Sequence, residues 1–342
     1  MTQAELKERI KSGNIGGAYL FVGDEDYLKK YYAGQIKNAV LSSGGLEIFC
    51  HSVFDGDEVA LDDVREAISS APMMADYKLV EWRYPDIETM SEGEKKKLEE
   101  LAAFTKDYPY CALVITVSQD GLEAGTVKRP SKLAARLSKC FELVNFEKST
   151  DAALVGWLKR HFDAEGVAVD TKTLHALIFR SGHVMQVLMG EVGKLCAYAK
   201  ANSLAKITEN EVNLVASATL ECDAFALSGA ISDKNREGAF VALMDMKMRR
   251  IESGAVLATL CRAFVELLTV AMLIEEGMSA QDIERTLKWN AYKIKLCISA
   301  ARSWGVARLA SATARLRELD ALSKSGGISG FSPIETFICE YL

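Results

Sequence analysis

The chain has 342 residues, of which 49% are hydrophobic, and a formal net charge of -6 at pH 7. This length is too great for one ordinary hydrophobic core and predicts two or three domains. The negative charge disfavours strong independent binding to DNA. No run of about 18 uncharged apolar residues occurs, so a membrane span is not expected.

The eight cysteines are spread singly along the chain, and none forms a C-x-x-C pair. Because only four histidines accompany them, a zinc site is not expected. The first residues, 1–5, open an amphipathic helix and lack the apolar region of a signal peptide. The expectation is therefore a cytoplasmic protein with reduced thiols and without metal or cofactor.

Up to about residue 147, apolar runs typical of strands alternate with segments of helical periodicity. Such alternation predicts βαβ units and a mostly parallel sheet. The predicted strands are 17–22, 46–50, 78–82, 111–117 and 141–146, and the predicted helices are 25–42, 58–70, 92–105 and 130–138.

After residue 147 the strand patterns stop and apolar residues recur at helical spacing, over 151–162, 171–180 and 184–200. A capping box at 208–211 opens a further short helix. From about 221 only helical patterns remain, broken by Gly254, Gly277, Gly305 and the loop 325–327. The fold class is therefore α/β followed by all-α, with a small and then a larger helical domain.

The first predicted strand runs into Gly23 and is followed by a helix, which is the arrangement of a phosphate-binding loop. When the pattern G-x-x-x-x-G-K-S/T is placed on this segment, Lys29 takes the lysine position. Leu28 replaces the second glycine, however, and Lys30 replaces the hydroxyl residue that would hold Mg²⁺.

Three carboxylates, Asp24, Glu25 and Asp26, also lie in this loop. A phosphate cradle needs converging backbone N–H groups and a positive local field, and these side chains oppose it. The segment therefore indicates the frame of a nucleotide-binding domain without a working phosphate loop.

The order of these features, with several local motifs, resembles the delta subunit of the bacterial DNA polymerase III clamp loader. The segments that carry the resemblance are 18–25, 71–74, 78–80, 166–169, Gly182, 191–195, Tyr198, 207–208, 221–225 and 320–326. They cover nearly the whole chain, and their order and spacing together are more specific than any one of them.

The resemblance implies an AAA+-like domain over 1–147, a helical lid domain over 148–218 and a helical collar for oligomerisation over 219–342. It also implies a subunit that does not hydrolyse ATP. Such a subunit binds the ring-shaped sliding clamp, the beta subunit, and holds one interface open for loading onto primed DNA. Its partners are the clamp-loader ATPase and delta-prime subunits, and no membrane is involved.

The other elements of an ATPase are also altered. A Walker B strand would end in Asp-Glu, but the strand over 78–82 runs into Arg83-Tyr84 and the strand over 111–117 runs into Ser118-Gln119. The segment Ser138-Lys139-Cys140 resembles the Ser-Arg-Cys arginine-finger motif of the loader's ATPase subunits, unless three common residues coincide there. Lysine lacks the bidentate fork of arginine. An enzyme is therefore not expected, although an ATPase with an atypical loop stays an alternative.

The predicted helix over 58–70 must end near Ser70, because Pro72 disfavours helical geometry at the residue before it. Met73 and Met74 then lie on a turn. In the delta family, exposed apolar residues at this place insert into a pocket on the clamp, and methionine suits an adaptable anchor. The alternative is that both methionines pack between helix and sheet.

Residues 285–317 hold basic side chains and no acidic one. Among them, Tyr292, Lys293 and Lys295 are the candidates for a contact with DNA, by phosphate neutralisation and base stacking. The alternatives are a solvated basic face with aromatic residues in the core, or a helical DNA-binding scaffold unrelated to replication. The basic residues of the segment are Arg285, Lys288, Lys293, Lys295, Arg302, Arg308, Arg315 and Arg317.

Overall fold

The computed structural model describes residues 1–42, 44 and 46–342. The chain forms two compact units, Met1–Ser149 and Thr150–Leu342. The first unit is α/β and the second is almost entirely helical, which confirms the predicted fold class. The unit boundary lies close to the predicted end of the first domain, and the further division of the helical part near 218 stays a prediction.

The first unit contains a five-stranded parallel sheet between two layers of helices. Its elements are α1 (Gln3–Ser12), β1 (Gly17–Val22), α2 (Asp26–Leu41), α3 (Glu47–Cys50), β2 (His51–Asp55), α4 (Leu61–Ser69), β3 (Lys78–Arg83), α5 (Glu92–Thr105), β4 (Cys111–Thr116), β5 (Gly125–Thr126), β6 (Arg129–Pro130), α6 (Lys132–Leu137) and β7 (Glu142–Asn145).

The strand order is β2-β3-β4-β1-β7, so β1 lies between β4 and β7. Tyr19 pairs in register with Val114 of β4 and with Glu142 of β7. Side chains of β1 alternate between the two helical layers: Leu20 packs in the core beneath α4 and α5, and Tyr19 packs in the core beneath α1 and α2. Burial on both faces explains why the strands appear in the sequence as uninterrupted apolar runs.

One predicted strand is wrong. Residues 46–50, read from their apolar composition as a buried strand, form the short helix α3, and β2 begins at His51. Only Cys50 of this segment is buried. A short apolar run has no period long enough to distinguish a buried strand from an exposed apolar turn.

Other boundaries differ less. The helix predicted over 58–70 begins at Leu61, and the antiparallel pair β5–β6 was not predicted. The predicted helices over 92–105 and 130–138 correspond to α5 and α6.

The second unit is a helical assembly. Its elements are α7 (Asp151–Ala164), β8 (Ala168–Val169), α8 (Thr171–Ser181), α9 (Met185–Ala201), β9 (Lys206–Ile207), α10 (Glu209–Val215), α11 (Leu220–Ser232), α12 (Arg236–Met248), α13 (Ser253–Glu275), α14 (Ala280–Leu287), α15 (Ala291–Trp304), α16 (Val306–Lys324) and α17 (Ser332–Tyr341). The parallel pair β8–β9 shows that strands do not stop completely after residue 147.

Helix α13 is at the centre of the second unit, where it packs against α11, α15 and α16. The ring of Phe264 lies 5.1 Å from that of Trp304 and 5.2 Å from that of Phe337, both edge-on. By length and hydropathy α13 is the one helix among the described residues that could cross a membrane. One face of the helix is covered by the other helices, while the rest, with Arg262 and Glu266 and the exposed Val265 and Met272, is not apolar throughout. This pattern is that of a core helix.

Candidate functional site

Gly23, at the end of β1, has a φ of +99° and lies against the end of β7. A Cβ at this position would come within 2.4 Å of Asn145 Oδ1 and 2.6 Å of the carbonyl oxygen of Phe146. The glycine is therefore required by close packing within the sheet and by its left-handed backbone.

Lys29 is completely buried, although it occupies the position of a phosphate-binding lysine. Its ammonium donates to the carbonyl oxygens of Gly23 (2.8 Å) and Val117 (2.6 Å) and pairs with Asp26 Oδ1 (2.7 Å). An ammonium group has three donors, and these contacts occupy all three. Lys29 thus ties the ends of β1 and β4 to the start of α2.

The other residues of the degenerate loop are placed around this contact. Leu28 is half-buried, and Lys30 is exposed with its ammonium 6.0 Å from the ring of Tyr84. Glu25 is buried, and its burial, with the charge of Asp26 beside it, raises the pKa of its carboxyl group.

A cavity of about 530 Å³ opens at the carboxyl ends of β1, β4 and β7, where open α/β sheets hold their ligands. Its lining includes five carboxylates and, among the residues that the structure describes, no lysine or arginine. The field in this cavity is negative, which opposes the binding of a triphosphate. The carboxylates are those of Asp24, Glu88, Asp120, Glu123 and Glu147.

The segment that resembles an arginine finger follows α6. Ser138 and Lys139 are exposed, while Cys140 is half-buried and its thiol donates to the carbonyl oxygen of Leu137 (3.3 Å). These residues line a cavity with Gly16, just before β1. They therefore lie at the amino edge of the sheet, opposite the degenerate loop.

Helix α4 ends at the same amino edge, and side-chain hydrogen bonds fix its last residues, here named the tip of α4. Tyr110 donates its hydroxyl to the carbonyl oxygen of Ser69 (2.7 Å), and the ammonium of Lys78 donates to Ser70 Oγ. Burial lowers the pKa of Lys78. On the inner face of the helix, Val64 and Ile68 are fully buried. These contacts fix the point from which the next turn projects.

Met73 and Met74 follow this tip and are 54% and 77% exposed. The alternative that both methionines pack between helix and sheet is therefore not what the structure shows. Met74 has a φ of +60°, a left-handed conformation that costs a non-glycine residue about 1–2 kcal/mol. Backbone strain beside an exposed apolar side chain makes this turn a candidate binding site.

Sequence reasoning missed the exposed apolar side chains at and just before α3. Leu46, Ile48 and Phe49 were assigned to a buried strand, but all are exposed. They lie beside the methionine turn, because the Cys50 thiol donates to the carbonyl oxygen of Met73 (3.4 Å). Glu47, a charged residue inside the predicted buried strand, was the signal that could have indicated an exposed segment.

The three residues predicted to contact DNA do not form one exposed group. Lys293 is buried, with its ammonium bonded to Glu221 Oε1 (2.7 Å) and Glu266 Oε1 (2.9 Å). Burial opposes its charge, but these bonds hold the pKa of Lys293 above its ordinary value. Tyr292 is half-buried against Phe179, and burial raises the pKa of its hydroxyl. Only Lys295 is exposed.

The remaining basic side chains divide in the same way. Arg308 donates to the carbonyl oxygen of Tyr341 (3.0 Å), and Arg315 pairs with Glu340 (2.6 Å). Trp304 is buried in the helical core, as expected from the alternative that places the aromatic residues of this segment in the core. The exposed cations of the segment are Arg285, Lys288, Lys295, Arg302 and Arg317.

Two family sequence models match the chain. The one described as "DNA polymerase III, delta subunit" matches residues 19–143, and the one described as "DNA polymerase III delta subunit, C-terminal domain" matches residues 221–341. No curated protein sequence matches.

Among solved structures, the DNA clamp loader delta protein (YqeN) of Bacillus subtilis is similar with a TM-score of 0.55 and 20% identity, over 99% of this chain and 98% of that one. This likeness confirms the fold, an α/β unit followed by helices. Two structures from Thermotoga maritima are less similar, each with a TM-score of 0.39. The Holliday junction branch migration motor RuvB has 12% identity over 62% of this chain and 67% of that one. Domain III of the replication initiation protein DnaA has 15% identity over 62% of this chain and 88% of that one.

Replacing Lys29 by methionine should destabilise the chain, because the carbonyl groups of Gly23 and Val117 lose their donor inside the core. We expect the free energy of unfolding, measured by urea denaturation, to fall by about 2 kcal/mol or more. Lys30→Met, one residue away and exposed, is the matched control and should change it by less than about 0.5 kcal/mol.

ATP with Mg²⁺ should leave the melting temperature of the wild-type chain unchanged, because Lys29 has no donor to spare. Equal stability of the two variants, or a rise in melting temperature with ATP, would contradict this assignment.

Proposed function

The chain belongs to the DNA polymerase III delta subunit family, and from this premise we propose that it is a non-catalytic clamp-loader subunit that binds the sliding clamp. A clamp-loader role follows from the family itself. In the proposed role, the subunit stabilises the opened ring of the clamp while the clamp is loaded onto primed DNA in the cytoplasm.

The observation that carries the proposal is the exposed pair Met73 and Met74 just after the tip of α4. Moving two large apolar side chains from water into an apolar pocket lowers the free energy of the complex. Their unbranched, polarisable side chains adapt to the shape of such a pocket. Because the tip is fixed by Tyr110 and Lys78, little ordering entropy opposes binding.

The non-catalytic role is supported by the carboxyl edge of the sheet. The donors of Lys29 are occupied and the adjacent cavity is acidic. Phosphoryl transfer needs the opposite, a positive cradle that positions phosphates and Mg²⁺. ATP held by the ATPase subunits would then control when the clamp-binding tip is presented.

Clamp opening requires a difference in affinity. A subunit shifts a ring between closed and open forms only by as much as it binds the open form more tightly. In our proposal the methionine pair binds a pocket beside one ring interface, and the rest of the contact is complete only when that interface is strained or open.

The helical unit is the proposed site of assembly with the ATPase and delta-prime subunits. Helix α12 exposes one apolar stripe, at i, i+1, i+4 and i+8, formed by Phe240, Val241, Met244 and Met248. This spacing suits the face of a partner helix. On α15, Lys295 and Arg302 are two turns apart and exposed, and we propose them, with Tyr292, as the groups nearest to primed DNA. Lys293 would have to release its two carboxylates first.

The double variant Met73→Ala/Met74→Ala should bind the clamp at least about thirtyfold more weakly than wild type, because truncating a buried anchor costs about 2 kcal/mol or more. The measurement is a titration of the purified chain against its own sliding clamp without ATP. Met244→Ala/Met248→Ala is the control, since those methionines are 58% and 79% exposed and lie on the helical unit.

The control should bind the clamp like wild type, and both variants should keep the wild-type melting temperature. Wild-type affinity in the Met73/Met74 variant would show that the methionine pair is not the clamp-binding element.

The same two variants make the reverse prediction for assembly. Met244→Ala/Met248→Ala should weaken incorporation into the loader complex by about tenfold, because two side chains of the α12 stripe are lost, whereas Met73→Ala/Met74→Ala should assemble normally. Gel filtration of the reconstituted complex over a concentration series measures this. Normal assembly of the Met244/Met248 variant would remove α12 from the interface.

A further inference from the structure

Three apolar side chains are exposed at the start of α3, one on the residue before the helix and two within it. Leu46 is 58%, Ile48 81% and Phe49 49% exposed. Single exposed apolar residues are ordinary on protein surfaces, but a contiguous group marks a place where something binds.

The sheet places this group beside the methionine turn. Strands β2 and β3 are parallel neighbours, with His51 opposite Leu79, so the segments that precede them meet at the same amino edge. The thiol of Cys50 bonds to the Met73 carbonyl (3.4 Å), and a Cβ at Gly44 would lie 3.9 Å from the carbonyl oxygen of Met74. The two apolar segments therefore form one surface.

The fold holds α3 in this orientation. Cys50 is fully buried, and His51 Nε2 lies 3.0 Å from Glu81 Oε2. Burial opposes ionisation of Glu81, but hydrogen bonds from His51 and Arg83 lower the pKa of its carboxyl group to about 2. Because Cys50 and His51 point into the unit, the preceding apolar residues are left on its surface.

The small size of the methionine pair indicates that the docking surface extends beyond it. A stable protein–protein interface buries about 800 Å² on each partner and involves about 20–30 residues a side. Two methionine side chains supply a small part of this area. The neighbouring surface must supply the rest, and an apolar surface next to an anchor is the part most readily desolvated.

We infer that Leu46, Ile48 and Phe49 form, with Met73 and Met74, a single docking surface for the sliding clamp, here named the amino-edge surface. Phe49 and Ile48 act as a second anchor beside the methionine pair. The inference rests on the proposed function, because it takes the partner of the methionine pair as the occupant of the whole surface.

The test is clamp binding by Ile48→Ala/Phe49→Ala, compared with wild type and with Met73→Ala/Met74→Ala. The matched control is Phe240→Ala/Val241→Ala, also an adjacent aromatic and β-branched pair, 37% and 62% exposed on α12. We expect the Ile48/Phe49 variant to bind about tenfold more weakly, the control to bind like wild type, and the melting temperatures to be equal.

The outcomes separate the two proposals. If the methionine variant loses binding and the Ile48/Phe49 variant does not, the second anchor is wrong and the proposed function stands. If wild type does not bind the clamp, both fail. If sedimentation shows that wild type dimerises and the Ile48/Phe49 variant does not, the occupant is a second copy of the chain and the inference is overturned.

Discussion

The parallel pairing of the sheet is the constraint on which the rest of the α/β unit depends. Because β2, β3, β4, β1 and β7 all run in one direction, every loop before a strand meets at one edge and every loop after a strand meets at the other. The amino edge receives α3 and the methionine turn, and the carboxyl edge receives the loop after β1 and the acidic cavity. A single topology thus separates the proposed clamp-binding surface from the acidic cavity.

Lys29 occupies the position of a phosphate-binding lysine but makes structural contacts. The ammonium that would hold a phosphate instead bridges the ends of β1 and β4 through two carbonyl oxygens. Its charge is balanced by Asp26, and the carboxylates around the cavity repel an anion. These contacts give Lys29 a structural role, because a buried lysine with all its donors satisfied is costly to remove.

Most helices and strands of the α/β unit could be predicted from the sequence. Strands buried on both faces leave apolar runs, and Pro72 marks the end of α4. The turn that holds Met73 and Met74 followed from that proline, but their exposure did not, because packing between helix and sheet was the open alternative. The long-range contacts were harder to predict, because Val117 lies 88 positions from Lys29, and Lys293 is bonded to Glu221, 72 positions away. Residues 46–50 were misread because composition shows that a segment is apolar, not which side of it faces water.

The central claim is that the amino edge, and not the carboxyl edge, binds the sliding clamp. Amide hydrogen exchange of the chain, alone and with its clamp and without ATP, tests this most directly. The account predicts slower exchange at 46–50 and 71–77, with no change at 118–126 beside the acidic cavity. Slower exchange confined to 118–126, or no change anywhere at saturating clamp, would contradict it.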